Sequence, residues 1–143
     1  EVEDDRLILR FNDGAFADPF GPAAMSDGTL KLFAFLVVLY DPDPPGLLLV
    51  EEPERQLYPG LLIELAEELR QYAKRGGQVF ITTHSPEFLS ACEIDEVVWL
   101  EKEDGFTVAR RASEMELVRN LVDEGESLGA ILRMDEFRTA ARL

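Results

Sequence analysis

The run Leu47-Leu48-Leu49-Val50 ends directly on Glu51-Glu52-Pro53-Glu54. An unbroken apolar stretch this short is too brief for a helix face and lacks the alternation of a half-wet strand. It predicts a strand buried on both faces of a parallel sheet. Parallel strands need long crossovers, and the flanks supply them. Residues 27–40, DGTLKLFAFLVVLY, carry one charge after Asp27, at Lys31, and predict a helix that is apolar around most of its girth and must be covered on several sides. Asp41-Pro42-Asp43-Pro44-Pro45-Gly46 breaks it. Beyond the acids, Pro59 is expected to open an amphipathic helix with Leu61, Leu62, Leu65, Ala66, Leu69 and Ala73 on its buried face, and Gly76-Gly77 to end it. QVFITT, residues 78–83, then reads as a second buried strand, and Ser85-Pro86 as the entry to a short helix reaching about Ala91. Helix, strand, helix, strand, helix predicts an α/β layer with a right-handed crossover.

The outer segments are less constrained. RLILRF, residues 6–11, reads as a strand leading into the turn Asn12-Asp13-Gly14, and a Gly/Pro-rich loop follows through Pro22. EVVWLE (96–101) and FTVARR (106–111), joined by Glu103-Asp104-Gly105, predict a β-hairpin. Ser113-x-x-Glu116 has the spelling of a capping box for a helix through about Asp123, and a last helix is expected over residues 128–137. At 143 residues and 46% hydrophobic content the chain is about one domain long and has material for a core. Its 29 acids against 14 Lys and Arg, a net charge of −15, argue against unaided attraction to nucleic acid or an anionic membrane. No apolar run reaches the roughly 18 to 20 residues needed to span a bilayer. The single cysteine, Cys92, cannot form an internal disulfide or a zinc cluster, in keeping with a cytoplasmic setting. The opening EVEDD lacks a Met and is expected to continue a larger polypeptide.

Ligands of α/β sheets gather at the carboxyl ends of parallel strands, where Glu51 and Glu52 stand. One carboxylate there can face a hydrated Mg²⁺ and its neighbour an attacking water; two solvated acids at a strand end have the same spelling. His84, the only histidine, follows the second strand, where its imidazole can bond a phosphate, position a water, or stand as a surface residue. Ser26, Asp27 and Gly28 open the long apolar helix, whose free N–H groups suit a phosphate. The same residues serve equally as an ordinary cap.

In this order and spacing the three elements resemble the C-terminal half of the head domain of ABC-type P-loop ATPases. The closest likeness is to the soluble RecF/SMC-like group of predicted or AAA family ATPases. The resemblance runs from about Met25 to Gly105, with a looser echo in SLGAILRM. MSDGT (25–29) is similar to the ABC signature loop, LLLVEE (47–52) to the Walker B strand and its glutamate, residues 54–59 to the D-loop, and TTHSP to the switch histidine. The resemblance implies one partial domain over 1–143: a parallel-sheet P-loop NTPase half ending in a β-hairpin and helices. It implies ATP and Mg²⁺ as cofactors, with Glu51 supporting the metal through water, Glu52 orienting or activating the hydrolytic water and His84 sensing the γ-phosphate. Ser26, Asp27 and Gly28 would reach the ATP held by a second head in a head-to-head homodimer. DNA repair, chromosome handling and defence are the kinds of work such heads power, with DNA touched only by parts outside this chain and no membrane partner.

Several departures matter. Transporter members carry Asp where Glu51 stands, and the D-loop of near relatives reads Glu-Asn-x-Leu-His-Pro where this chain has Glu54-Arg55-Gln56-Leu57-Tyr58-Pro59, leaving Arg55 and Tyr58 without a role. More decisive, Gly-x-x-x-x-Gly-Lys-Ser/Thr occurs nowhere, and no glutamine loop is evident. Lacking the phosphate-binding lysine, the chain by itself is expected to hydrolyse ATP negligibly and to be completed by a Walker A half in the same or a separate polypeptide. Two other readings stay open: a Mg²⁺-dependent nuclease-like phosphotransfer domain, for which Asp41-Pro42-Asp43 has the spelling but the wrong place in the order, and a non-catalytic docking module on the same fold.

Overall fold

A computed structural model describes residues 2–3, 6–12, 14–15 and 17–134. They fall into two compact units, residues 1–44 and 45–143.

In the first unit β1 (Val2–Glu3) and β2 (Arg6–Leu7) pair antiparallel, and Phe11 and Phe20 exchange backbone bonds of 2.8 and 3.0 Å across the following loop. The strand expected over residues 6–11 is thus only a short pair and an isolated bridge. Phe11 stacks on Phe20 and meets Phe33 edge-on at 5.3 Å, fastening the loop to α1 (Asp27–Leu39). Ser26 caps this helix, its Oγ accepting from Thr29 N at 3.1 Å. The apolar girth is only partly covered: Val37 and Tyr40 are 52% and 58% exposed.

The second unit is built on β3 (Leu47–Glu51), α2 (Leu61–Lys74) and β4 (Gln78–Thr82), with β3 and β4 parallel and in register from Leu47↔Gln78 to Glu51↔Thr82. One face of the sheet, with Leu48, Val50, Val79 and Ile81, is half-buried. The other does not meet the expectation of two buried faces: Leu49 is 70% and Phe80 56% exposed. The apolar alternates are present on both sides, but among the described residues cover comes to one. α2 buries Leu62, Leu65, Ala66, Leu69 and Tyr72. Ala73, expected inward, is exposed, because the longer Tyr72 takes the inner position and its hydroxyl donates to the Pro45 carbonyl. The Tyr72 ring lies where a side chain at Gly77 would have to go, and Gly76, at φ +104°, turns the chain out of the helix. The helix begins at Leu61, two residues after Pro59, which lies instead in a turn with Gly60.

Past β4, Ser85 caps α3 (Pro86–Leu89), its Oγ accepting from Phe88 N at 3.2 Å. A 3-10 turn leads into the hairpin of β5 (Val98–Glu103) and β6 (Phe106–Arg111). Asp104 and Gly105 both have positive φ there, the conformation a tight two-residue connection needs. α4 (Glu116–Asp123) and α5 (Leu128–Arg133) complete the described chain; positions 135–137 of the expected last helix lie outside the described residues. The expected Ser113/Glu116 box does not form. Ser113 sits in a 3-10 turn, and the buried Met115 draws the chain inward so that Glu116 is the first helical residue instead of the third. A true capping box joins Glu93 and Glu96 instead. Leu89, Val97, Ala112, Met115, Val118, Leu128 and Ile131 form one buried cluster. α5 reaches α3 closely because Gly129 has no side chain to strike the Pro86 carbonyl, and Arg133 pairs with Glu87 at 2.6 Å.

Candidate functional site at the ends of β3 and β4

Because Glu51 and Thr82 are register partners, the loops that follow β3 and β4 emerge side by side. Glu51 is exposed and lies on the same sheet face as Leu49. Strand alternation stops there. Glu52 has φ +43°, a left-handed conformation that crowds the Cβ of any L-residue against the backbone carbonyl, and its N–H donates to the Thr82 carbonyl at 2.8 Å. The next residue, Pro53, is fully buried and anchors the turn, as does Leu57 at 8% exposure.

This geometry aims Glu52 toward the neighbouring loop. Its Oε1 lies 4.0 Å from His84 Nε2, and its Oε2 pairs with Arg55 Nη1 at 3.2 Å. The Glu52 side chain is 30% exposed and the imidazole 91%, so both are open to a ligand. Glu54 ties the loops from below: one carboxylate oxygen accepts from Thr83 Oγ1 at 2.8 Å and from His84 N at 3.0 Å. Thr83 Oγ1 in turn accepts from Ser85 N at 3.0 Å. Ser26, Asp27 and Gly28 are in the other unit, at the cap and first turn of α1, where Ser26 Oγ also lies 2.7 Å from Thr29 Oγ1.

Sequence reasoning assigned nothing to Glu54 beyond its place in the loop and nothing to Arg55, though both touch the candidate residues. The only hint in the sequence is the third acid following so closely on the first two. Its partners are about 30 positions away and come near only through the β3/β4 register.

Below His84 a cleft of about 960 Å³ runs between β4, α2, α3 and β5, with Val79, Ile81, Val98 and Leu100 among its lining. Arg70 closes one side. Its guanidinium donates to both Glu96 carboxylate oxygens, at 2.7 and 2.8 Å, and to Ala91 O at 2.8 Å. The bond from Arg70 holds the Glu96 carboxyl below the usual carboxylate range. Burial, with the Glu96 charge second, pushes the Cys92 thiol up to about 11, so little of it is thiolate at neutral pH and it makes a poor nucleophile.

Among the described residues no group of three or more His, Cys, Asp or Glu side chains converges as a metal cage. A hydrated Mg²⁺ held chiefly by nucleotide phosphates asks for only one or two carboxylates, and the exposed Glu51 fits that smaller demand. No helix among the described residues is long and apolar enough to cross a membrane.

Comparison with known proteins agrees with this architecture. Old nuclease of Escherichia phage P2 is 34% identical over 65 residues, which are 46% of this chain and 11% of the phage protein. The chain therefore spans about a tenth of that relative's length. A structure solved in work on the ATP-driven dimerization and DNA-stimulated activation of SMC ATPases superposes with a TM-score of 0.54 at 17% identity, over 77% of this chain and 68% of that one; at this identity the likeness is one of fold. The family described as "AAA domain, putative AbiEii toxin, Type IV TA system" matches residues 1–90, well over half of the chain. The chain belongs to this AAA domain family and has the α/β fold of a P-loop ATPase.

Proposed function

We propose that the chain supplies the signature, Walker B and switch-histidine half of an ATP-hydrolysing head. The observation that carries this reading is the approach of Glu52 to His84, 4.0 Å apart at the adjoining ends of two parallel strands in a member of an ATPase family. Glu52 orients or activates the water that attacks the γ-phosphate, and His84 faces the γ-phosphate oxygens. Glu51 holds Mg²⁺ through water. The metal, when bound, neutralises charge on the phosphates. Ser26, Asp27 and Gly28 offer a helix start to the nucleotide of a second head, and pairing of two heads is in keeping with the ATP-driven dimerization named for the SMC structure. The phosphate-binding loop comes from another stretch of the same polypeptide or from a partner. The outer edges of β4 and β5, which have no strand partner among the described residues, and the apolar cleft between these strands offer it a place to dock. DNA or defence work belongs to the whole protein.

A nuclease centre on Asp41 and Asp43 has less support. Asp43 N donates to Asp41 Oδ1 at 2.8 Å, a local turn that engages one Asp41 oxygen, although the phage relative bears the name nuclease.

The test is ATP turnover by the completed enzyme, this chain joined to its phosphate-loop segment. Glu52→Gln is expected to lower kcat by roughly 10² to 10⁴ while ATP still binds, the range for removing a general base, and to accumulate ATP-bound head dimers visible by light scattering. Turnover indifferent to the substitution would sink the assignment.

A further inference from the structure

We propose that Glu54 is a positioning residue for His84, fastening the loop after β4 to the loop after β3 so that the imidazole stays beside Glu52. The inference deepens the ATPase reading, on which only its kinetic arm rests.

The problem it answers is physical. An imidazole that is 91% exposed has almost no packing to hold it, so its location depends on the backbone that carries it. That backbone is gripped at two points by one oxygen: Glu54 Oε1 accepts from Thr83 Oγ1 and from His84 N. Hydrogen bonds to an ionised acceptor are about twice as strong as neutral ones. Glu54 itself is well founded, because Pro53 before it is fully buried, Leu57 after it is buried, and Leu57 N donates to the Glu54 carbonyl at 3.1 Å. Its other oxygen, Oε2, is buried with no hydrogen-bond partner among the described residues, which is not how a merely solvated acid is placed. From Thr83 the linkage continues through Ser85 N to the cap of α3, so the acid braces both the His84 backbone and the helix behind it. Glu52 and His84 thus approach each other across a clasp in which Glu52 takes no part and His84 takes part only through its backbone N–H.

The grip can be read directly at the His84 amide. In the ¹⁵N-labelled chain, Glu54→Ala is expected to speed hydrogen exchange at His84 roughly tenfold, the loss of one charge-assisted bond, while Ile131 in the core keeps its protection. Glu54→Gln retains a carbonyl acceptor and should restore most of the protection. In the completed enzyme Glu54→Ala should lower kcat about 10- to 100-fold with KM for ATP little changed, the mark of a misplaced group in the transition state, and Glu54→Gln should recover much of it. Unchanged exchange at His84 in Glu54→Ala overturns the proposal. So does loss of protection spread evenly to Ile131, which marks a general structural role. Exchange as expected, with kcat indifferent to both Glu54→Ala and His84→Ala, would remove the ATPase role of His84 and leave the clasp standing.

Discussion

Two regions of the second unit are held together in opposite ways. Around α3, α4, α5 and the start of the hairpin, seven apolar side chains lie between 0% and 9% exposed and fill one another's space. At the ends of β3 and β4, beyond the buried Pro53 and Leu57, polar contacts hold the chain: a carboxylate clasp, an ion pair and a backbone bond, with Glu52 and Gln56 in left-handed conformations and an imidazole in open water. The first arrangement is what burial alone selects. The second keeps charged groups close together in conformations that stability alone would not choose, as candidate catalytic sites commonly do.

The comparison breaks most visibly in the core. Ile131 is 0% exposed, so Ile131→Ala should destabilise by about 2 to 5 kcal/mol, through lost burial and the cavity left behind. Urea unfolding should report it as a lower midpoint. Turnover per folded molecule in the completed enzyme should not change, since Ile131 is not among the residues that touch the strand-end loops.

Arg70 stands between the regions, on the cleft wall, and its removal should have an intermediate effect. Its side chain is 19% exposed and bridges α2 to Glu96 and to the exit of α3. Arg70→Ala should cost about 1 to 2 kcal/mol at neutral pH, because the Ala91 carbonyl and the Glu96 carboxylate lose charge-assisted bonds while water screens the part of that carboxylate it reaches. The pH dependence has a definite sign. The Glu96 carboxyl is held below its ordinary 4.5, so the pairing contributes stability above that value and loses it as pH falls through the lowered folded value. The gap between wild type and Arg70→Ala in urea melts should therefore be widest near neutrality and narrow in acid. A gap constant with pH would remove Glu96 as the partner that matters.

How far each region was legible follows from the same physics. The β3, α2, β4 order came through because an unbroken apolar run and a three- and four-residue spacing have few other solutions, and the hairpin turn because its acidic and glycine residues tolerate positive φ. Glu51, Glu52 and His84 could be marked because strand ends are where α/β sheets place ligands. The Glu54 clasp was not legible, since it spans 30 positions and exists only in the observed register. Tyr72 in place of Ala73 and Met115 in place of a Ser113 cap are decided by the size and burial of single side chains, which periodicity does not weigh. The exposed face of β3 and β4 shows the limit of reading burial from hydrophobicity: the pattern states a demand for cover, and whether the cover is present is settled elsewhere.

The smallest effect sharpens the contrast most, because it asks whether the strand-end loop gives up stability to aim its glutamate. At φ +43° Glu52 occupies a region costing a non-glycine residue on the order of 1 kcal/mol or more, which glycine avoids. Glu52→Gly and Glu52→Ala both delete the carboxylate and its ion pair with Arg55, an exposed partner whose loss should matter little. They differ only in the backbone term. The glycine variant should be the more stable of the two by about 1 kcal/mol in urea unfolding, although glycine ordinarily weakens a fold, while both lose turnover in the completed enzyme. If alanine is as stable as glycine, the left-handed turn carries no strain, and the strand-end loop differs from the core only in its polarity.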